Sequence, residues 1–358
     1  MTYLSKVNLR IFHEYGDLRH FLSLFYLKEK YQAVDRLDYI TFDPMKVIYK
    51  TLKNLDIKYF TGNITMLLRT LMEADNMINI VGMAPLHYFV YYFRKLRHKR
   101  KPMIYFTSWP YWDFGNEQNP WVHRLPDLRR EWLSFVQEVD AVVCVTNTAC
   151  KALENFSSNV FHIPHSVDTE IFKPIKSSKD NEKIKILYVG RLTIEKGIKH
   201  LIEVIIKGAW KNIEFWFVGS GKLSRLIKSL EQKYPVRYFG YVSDQKILAK
   251  IYQISDILVL PTISEELFGI VLIEAMACGL PTIATNTIGP MEIIKNGTTG
   301  IVIPKGDIKA LKNAIEMLIQ DETLRRKMGM NGREEAIKKY DVAVVSKQWM
   351  KVIEKVLK

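Results

Sequence analysis

Short apolar runs alternate with helical or amphipathic stretches along this chain, and that rhythm favours a layered α/β fold with parallel sheets. In the second half the runs are Ile184 to Val189, Ile213 to Val218 and Ile257 to Leu260, with Ile198 to Ile206 the amphipathic stretch after the first. In the first half, residues 7–12, 37–42, 57–60, 77–81, 103–106 and 141–145 read as strands, and 17–29, 44–53 and 126–138 as helices between them. The polar segment Phe172 to Lys183, carrying Pro174, reads as an exposed linker. A length of 358 residues suffices for two domains with a core each. We place them at 1–167 and 168–341, followed by an amphipathic helix over 342–358.

The segment after residues 257–260 holds the most informative pair of side chains. Glu266 and Glu274 stand eight residues apart, one in a loop and the other about a turn and a half into a helix read over 269–278 and closed by Gly279 and Pro281. Amide groups at a helix start suit a phosphate. Carboxylates suit sugar hydroxyls, because a charged acceptor takes several hydrogen bonds and binds them more strongly than a neutral one. A phosphate cradle between hydroxyl acceptors is what a nucleotide-sugar requires. Taken alone, the pair also fits an ordinary loop acid and helical acid.

A second cluster strengthens the nucleotide reading. The strand over 184–189 runs into Gly190-Arg191-Leu192-Thr193-Ile194-Glu195-Lys196-Gly197. Gly190 admits close backbone approach, Arg191 can grip a phosphate through two bonds, and Lys196 adds a point charge. Ligands of open α/β sheets bind at such carboxyl ends of strands. The run over 213–218 ends in Gly219-Ser220-Gly221, and a fourth ends at Phe239-Gly240-Tyr241-Val242, whose apolar surface suits a nucleobase.

With these residues stand Ile163-Pro164-His165-Ser166-Val167-Asp168, Glu274-Ala275-Met276-Ala277-Cys278-Gly279-Leu280-Pro281 and Gly297-Thr298-Thr299-Gly300. In this order, over Ile163 to Pro304, the motifs resemble those of the family-four (group 1) retaining glycosyltransferases of GT-B fold. The resemblance implies two Rossmann-like domains whose parallel sheets face each other across a cleft, the first binding an acceptor and the second a nucleoside-diphosphate sugar. It implies that the helix over 342–358 packs back on the first domain. Arg191 and Lys196 would neutralise the diphosphate, Glu266 would hold donor sugar hydroxyls, and Glu274 the ribose hydroxyls. Gly190 and Gly219 would admit the donor, the backbone of Phe268, Gly269, Ile270 and Val271 would meet phosphates or sugar, and Tyr241 and Val242 would lie near the base. The sugar would transfer with retention to a hydroxyl of a glycolipid, polysaccharide or glycoprotein glycan.

The first half departs from the family pattern. Relatives carry paired glycines after the first strand, where this chain has Phe12-His13-Glu14-Tyr15-Gly16-Asp17, so Gly16 is the residue expected against sugar and phosphates. Relatives also place a His after the strand over 103–106, where this chain has Thr107-Ser108-Trp109-Pro110-Tyr111-Trp112-Asp113. Asp113 can accept a proton or a sugar hydroxyl from that loop, although loop caps are the commoner use of Asp. Trp109, Tyr111 and Trp112 suit sugar stacking or a lipid channel, and equally a core. His87 and His123 read as structural.

Composition excludes several classes. No Asp-x-Asp occurs, so we expect the diphosphate to be held by cations and amides with no metal and no cofactor. The three cysteines, Cys144, Cys150 and Cys278, form no Cys-x-x-Cys and read as buried thiols of a cytoplasmic protein. No segment has the apolar length of a membrane span. The net charge is +14, one concentrated patch is Arg94 to Lys101 after the aromatic stretch Tyr88 to Phe93, and residues 88–101 suit docking on an anionic membrane beside a lipid-linked acceptor. A solvated helix terminus fits the same residues. Nucleic acid is a less suitable partner, because no nucleic-acid-binding module is visible. Two other readings keep the fold: a phosphorylase-like or epimerase-like enzyme, and a catalytically silent nucleotide-binding relative.

Overall fold

A run such as Ile257-Leu258-Val259-Leu260 has no polar face, so it is stable only as a strand covered on both sides. It becomes a central strand with all four residues buried. The computed structural model of the chain describes residues 6–13, 18–41, 58–61, 77–82, 102–107, 126–175, 183–208 and 210–358. The chain divides into two compact units, Met1–His165 with Val342–Lys358, and Ser166–Asp341.

In the first unit the strands are β1 (Val7–His13), β2 (Val34–Thr41), β3 (Lys58–Thr61), β4 (Met77–Gly82), β5 (Met103–Thr107), β6 (Ala141–Cys144) and β7 (Val160–His162). They form one sheet in the order β3-β2-β1-β4-β5-β6-β7, every neighbouring pair parallel. Its described helices are α1 (Leu22–Glu29), α2 (Pro126–Glu138) and α3 (Asn147–Glu154). Six of these strands match the sequence reading with ends shifted by at most three residues. The seventh, β7, was not expected: it has three residues, none fully buried, and so offers no apolar run to read. The helix expected over 17–29 is a 3-10 turn, Leu18–Phe21, followed by α1. The helix expected over 44–53 lies outside the described residues, as do positions 176–182 of the expected linker.

The second unit contains β8 (Ile184–Val189), β9 (Ile213–Val218), β10 (Val236–Gly240), β11 (Ile257–Leu260), β12 (Thr282–Thr285) and β13 (Gly300–Ile303). Between and after them run α4 (Ile198–Lys207), α5 (Ser224–Leu230), α6 (Gln245–Gln253), α7 (Ile270–Ala277), α8 (Ile288–Ile293), α9 (Ile308–Gln320) and α10 (Glu322–Glu335). Aspartates start three of these helices. Asp244 accepts from the Lys246 and Ile247 N–H groups, Asp307 from Ala310, and Asp321 from Leu324. Each cap satisfies amides that a helix start leaves without intrahelical partners, for about 1 kcal/mol. On α4, Ile198, Leu201, Ile202 and Ile205 recur at the spacing of one helical face, and that face is buried.

The second sheet has the order β10-β9-β8-β11-β12-β13, again all parallel. Chain order therefore reverses between β8 and β11, which pair through Ile257 with Ile186 and Leu258 with Leu187. A crevice opens at such a switch point, because the connections on its two sides leave toward opposite faces. The loops that follow β8 and β11 thus flank the place where this topology receives a ligand.

Gly197 joins those two loops. It precedes α4 with φ of +71°, and a Cβ there would lie 1.7 Å from the Pro261 carbonyl oxygen. In the first unit α11 (Val342–Leu357) buries Val345, Ser346, Trp349 and Val352 along one face. Ser346 Oγ donates to the Ser23 carbonyl at 2.8 Å, and the Trp349 and Phe106 ring centres are 5.9 Å apart.

Two substitutions test these packings. Trp349→Ala should lower the unfolding free energy of the first unit by about 3–5 kcal/mol, read as a fall in its denaturant midpoint. Gly197→Ala combines a left-handed backbone with a backbone clash, so it should cost the second unit about 2–3 kcal/mol or more. An unchanged midpoint for either variant would contradict the packing described.

Candidate functional site

The residues that follow the strands of the second sheet were the ones singled out by chemistry in the sequence. Gly190, Arg191 and Lys196 lie after β8, Gly219 after β9, and Tyr241 and Val242 after β10. Glu266, Phe268 and Gly269 lie after β11, and Ile270, Val271 and Glu274 on α7. All leave the same end of the sheet, because every strand in it is parallel. Gly16, Asp113, Ser108, Trp109, Tyr111, Trp112, His87, His123 and the basic stretch over 88–101 lie outside the described residues.

Backbone hydrogen bonds stitch the turns together. The Gly190 N–H donates to Val218 O at 3.0 Å, Leu192 N–H to Ser220 O at 2.9 Å, and Gly219 N–H to Gly240 O at 2.8 Å. Across the switch point, one carbonyl does most of the joining. Glu195 O accepts from Thr262 Oγ1 at 3.0 Å, Ile263 N at 3.0 Å and Ser264 N at 3.2 Å. On its far side the β11 loop is held by the Gly289 N–H, which donates to Glu266 O at 2.8 Å. Lys305 pairs with Glu265, whose other oxygen accepts from Ile288 N at 3.4 Å.

Within this frame Lys196 Nζ lies 2.6 Å from Glu266 Oε2. Their side chains are 16% and 17% exposed, so the pair is partly shielded yet still reachable from solvent. Arg191 is exposed, and its backbone carbonyl accepts a 2.7 Å hydrogen bond from the Tyr188 hydroxyl. Burial first, and then the Glu266 carboxylate, push that hydroxyl's ionisation well above the usual tyrosine range. Tyr188 therefore remains a neutral donor and fixes the start of the loop that carries both cations.

On the β11 side, Gly269 turns the chain into α7 with φ of +88°, and no side chain caps that helix start. The amides at such a start point outward along the positive end of the helix dipole, toward any anion placed there. The Phe268 ring is buried, edge-on to Tyr340 at 6.0 Å, so only its backbone can face a ligand. Tyr241 is 59% exposed and Val242 half-buried, at the mouth of the β10 turn.

The two acids differ in their surroundings. Glu266 meets an ammonium at the surface of the site, whereas Glu274 is only 2% exposed and accepts from the Tyr252 hydroxyl at 2.8 Å. Sequence reasoning missed Tyr188, Tyr252 and the Glu265–Lys305 pair. Tyr188 stands two residues before Gly190 and could have been weighed as a support of that turn. Nothing local links Tyr252 on α6 to Glu274 on α7, since the two are 22 residues apart.

Comparison with known proteins places this arrangement. Residues 169–335 match the family described as glycosyl transferases group 1. The capsular polysaccharide biosynthesis glycosyltransferase CapM of Staphylococcus aureus is 36% identical over 172 residues, covering 46% of this chain and 44% of CapM. The phosphatidyl-myo-inositol mannosyltransferase of Mycobacterium leprae is 28% identical over 210 residues, covering 57% of this chain and 56% of that protein. The chain thus spans about half the length of the curated relatives it matches. HepE of Anabaena, solved in complex with UDP-glucose, superposes with a TM-score of 0.79 at 16% identity, over 97% of this chain and 99% of HepE. That likeness shows the fold, the GT-B architecture of two parallel α/β units. On that match, residues 169–335, within the second unit, are similar to the group 1 glycosyl transferases.

Proposed function

We propose that this chain transfers a sugar from a nucleoside-diphosphate donor to a hydroxyl acceptor, with retention of anomeric configuration and without a metal ion. The observation that carries the reading is the Lys196–Glu266 pair at the switch point, with Arg191 beside it and the α7 start opposite. The solved complexes of HepE with UDP and with UDP-glucose support a nucleotide-sugar as ligand class. Metal independence rests on the two cations and on a sequence without Asp-x-Asp.

The electrostatics fit the chemistry. A carboxylate that binds sugar hydroxyls must stand close to a pyrophosphate that would repel it. Lys196 offsets the Glu266 charge and offers its own to the phosphates, while Arg191 and the helix amides share the remainder. As the bond between the anomeric carbon and the β-phosphate oxygen breaks, its electron pair moves to that oxygen, where the cations lie. The acceptor hydroxyl then forms the new bond on the same face and passes its proton to the departing phosphate. Glu266 holds the sugar's hydroxyls and makes no covalent bond to it. Glu274 takes the ribose, and Tyr241 with Val242 borders the base.

We assign the acceptor to the first unit with Asp113 in its loop, keep Gly16 against the donor's sugar and phosphates, and place the acceptor among glycolipids, polysaccharides or glycoprotein glycans. CapM is named for capsular polysaccharide and the mycobacterial relative for phosphatidyl-myo-inositol, which supports acceptors of these kinds. No described helix is long and apolar enough to cross a membrane. Docking of residues 88–101 on anionic lipid would bring the enzyme to a lipid-linked acceptor. All three cysteines are free and buried, which fits our assignment to the cytoplasm.

The test combines binding with turnover. A thermal-shift panel of UDP-, GDP- and ADP-sugars should yield one donor class that raises the melting temperature. Lys196→Ala should then reduce turnover of that donor by about 10²–10³-fold while far-ultraviolet circular dichroism stays unchanged. Near-normal turnover in that variant would remove the mechanism, and release of free sugar phosphate from an acceptor would favour a phosphorylase.

A further inference from the structure

We infer that Tyr252 is a positioning residue for nucleotide recognition, aligning the Glu274 carboxylate for a ribose diol. The inference rests on the donor-site reading given under Proposed function and goes beyond it. Tyr252 lies on α6 and is fully buried, its ring edge-on to Phe172 at 5.8 Å and 72°. A tyrosine so packed has little torsional freedom left. Its hydroxyl reaches Glu274 Oε2 at 2.8 Å and Val271 O at 3.5 Å. One hydroxyl carries one proton, and the nearer, charged acceptor takes it.

The last torsion of a Glu side chain is broad, so the plane of its oxygens is set by what binds them. A vicinal diol presents two donors with fixed separation, and it bonds well only to a carboxylate turned to meet both. Burial makes misalignment expensive, because at 2% exposure little water is available to replace a lost partner. Tyr252, donating to Oε2 at 2.8 Å, therefore helps to set the orientation from behind. Contact with the nucleoside half is common to the free nucleoside diphosphate and to the intact donor. Tyr252 should accordingly govern the affinity for both and leave the bond-breaking step alone. The alternative is a hydroxyl that merely satisfies a buried acid.

The experiment compares Tyr252→Phe, Glu274→Gln and the unmodified chain. Each is titrated with UDP, GDP and ADP, and the tightest binder's 2′,3′-dideoxy counterpart is titrated alongside. In the unmodified chain the ribose form should bind more tightly than the dideoxy form. Tyr252→Phe should weaken the ribose form by about five- to tenfold and leave the dideoxy form unchanged. With the donor sugar, the same variant should raise KM by a similar factor at nearly constant kcat. Dideoxy binding serves as the control for folding, since a distorted site would lose both ligands together. If Glu274→Gln selectively weakens the ribose form and Tyr252→Phe does not, the inference falls and the donor reading stands. If Glu274→Gln leaves the preference for ribose intact, or none of the three diphosphates binds, both fall.

Discussion

The junction between the loops after β8 and β11 is the constraint on which the site depends. One carbonyl, that of Glu195, accepts donors from Thr262, Ile263 and Ser264, and the next residue along the chain is Lys196. The ammonium is therefore delivered to Glu266 by a backbone already fastened to the loop that carries Glu266. Two long side chains held in one geometry normally lose much of their attraction to entropy and solvent. Here the backbone has been ordered by other bonds, so the pair forms with less to lose. Charges fixed before a ligand arrives need no reorganisation when a new charge develops beside them, and that is the main source of electrostatic catalysis.

That junction follows from topology. Parallel strands send every following loop to one end of the sheet, and the reversal of order between β8 and β11 leaves their loops adjacent but diverging. Residues separated by 70 positions in the chain, Lys196 and Glu266, thereby become neighbours. Gly197 lets the backbones touch at Pro261, and Gly289 closes the other side of the β11 loop. The first sheet has the same reversal between β1 and β4, followed by a seventh strand. Among the described residues, the glycine turns at Gly190, Gly219 and Gly269 belong to the second unit.

What was legible in the sequence tracks how local its physical cause is. Apolar runs bounded by glycine or proline announce buried parallel strands, so β8, β9 and β11 were readable almost to the residue. β7 was not, because a three-residue strand with partly exposed side chains leaves no run. The cations and acids of the site stood out because charge just beyond an apolar strand is conspicuous. Their supports did not: Tyr188 and Tyr252 are aromatic residues within a strand and a helix, indistinguishable in sequence from core. Their roles come from hydroxyls meeting Arg191 O and Glu274 Oε2, and the second of those contacts crosses between two helices.

Glu266 and Glu274, so alike in sequence, show how one chemical group can stand in two different environments. Glu266 is balanced by an ammonium at 2.6 Å and remains partly open to solvent. The sugar-binding role we propose for it would therefore be tied to the charge of Lys196, for which a pyrophosphate would also compete, and to ionic strength. Glu274 accepts a hydrogen bond from a neutral hydroxyl in a buried setting, where direction matters as well as charge. In the function we propose, the first arrangement answers to an anionic, sugar-bearing ligand and the second to a diol of the right spacing attached to it. On that proposal a nucleotide-sugar satisfies both at once, whereas a sugar phosphate or a free nucleoside satisfies only one.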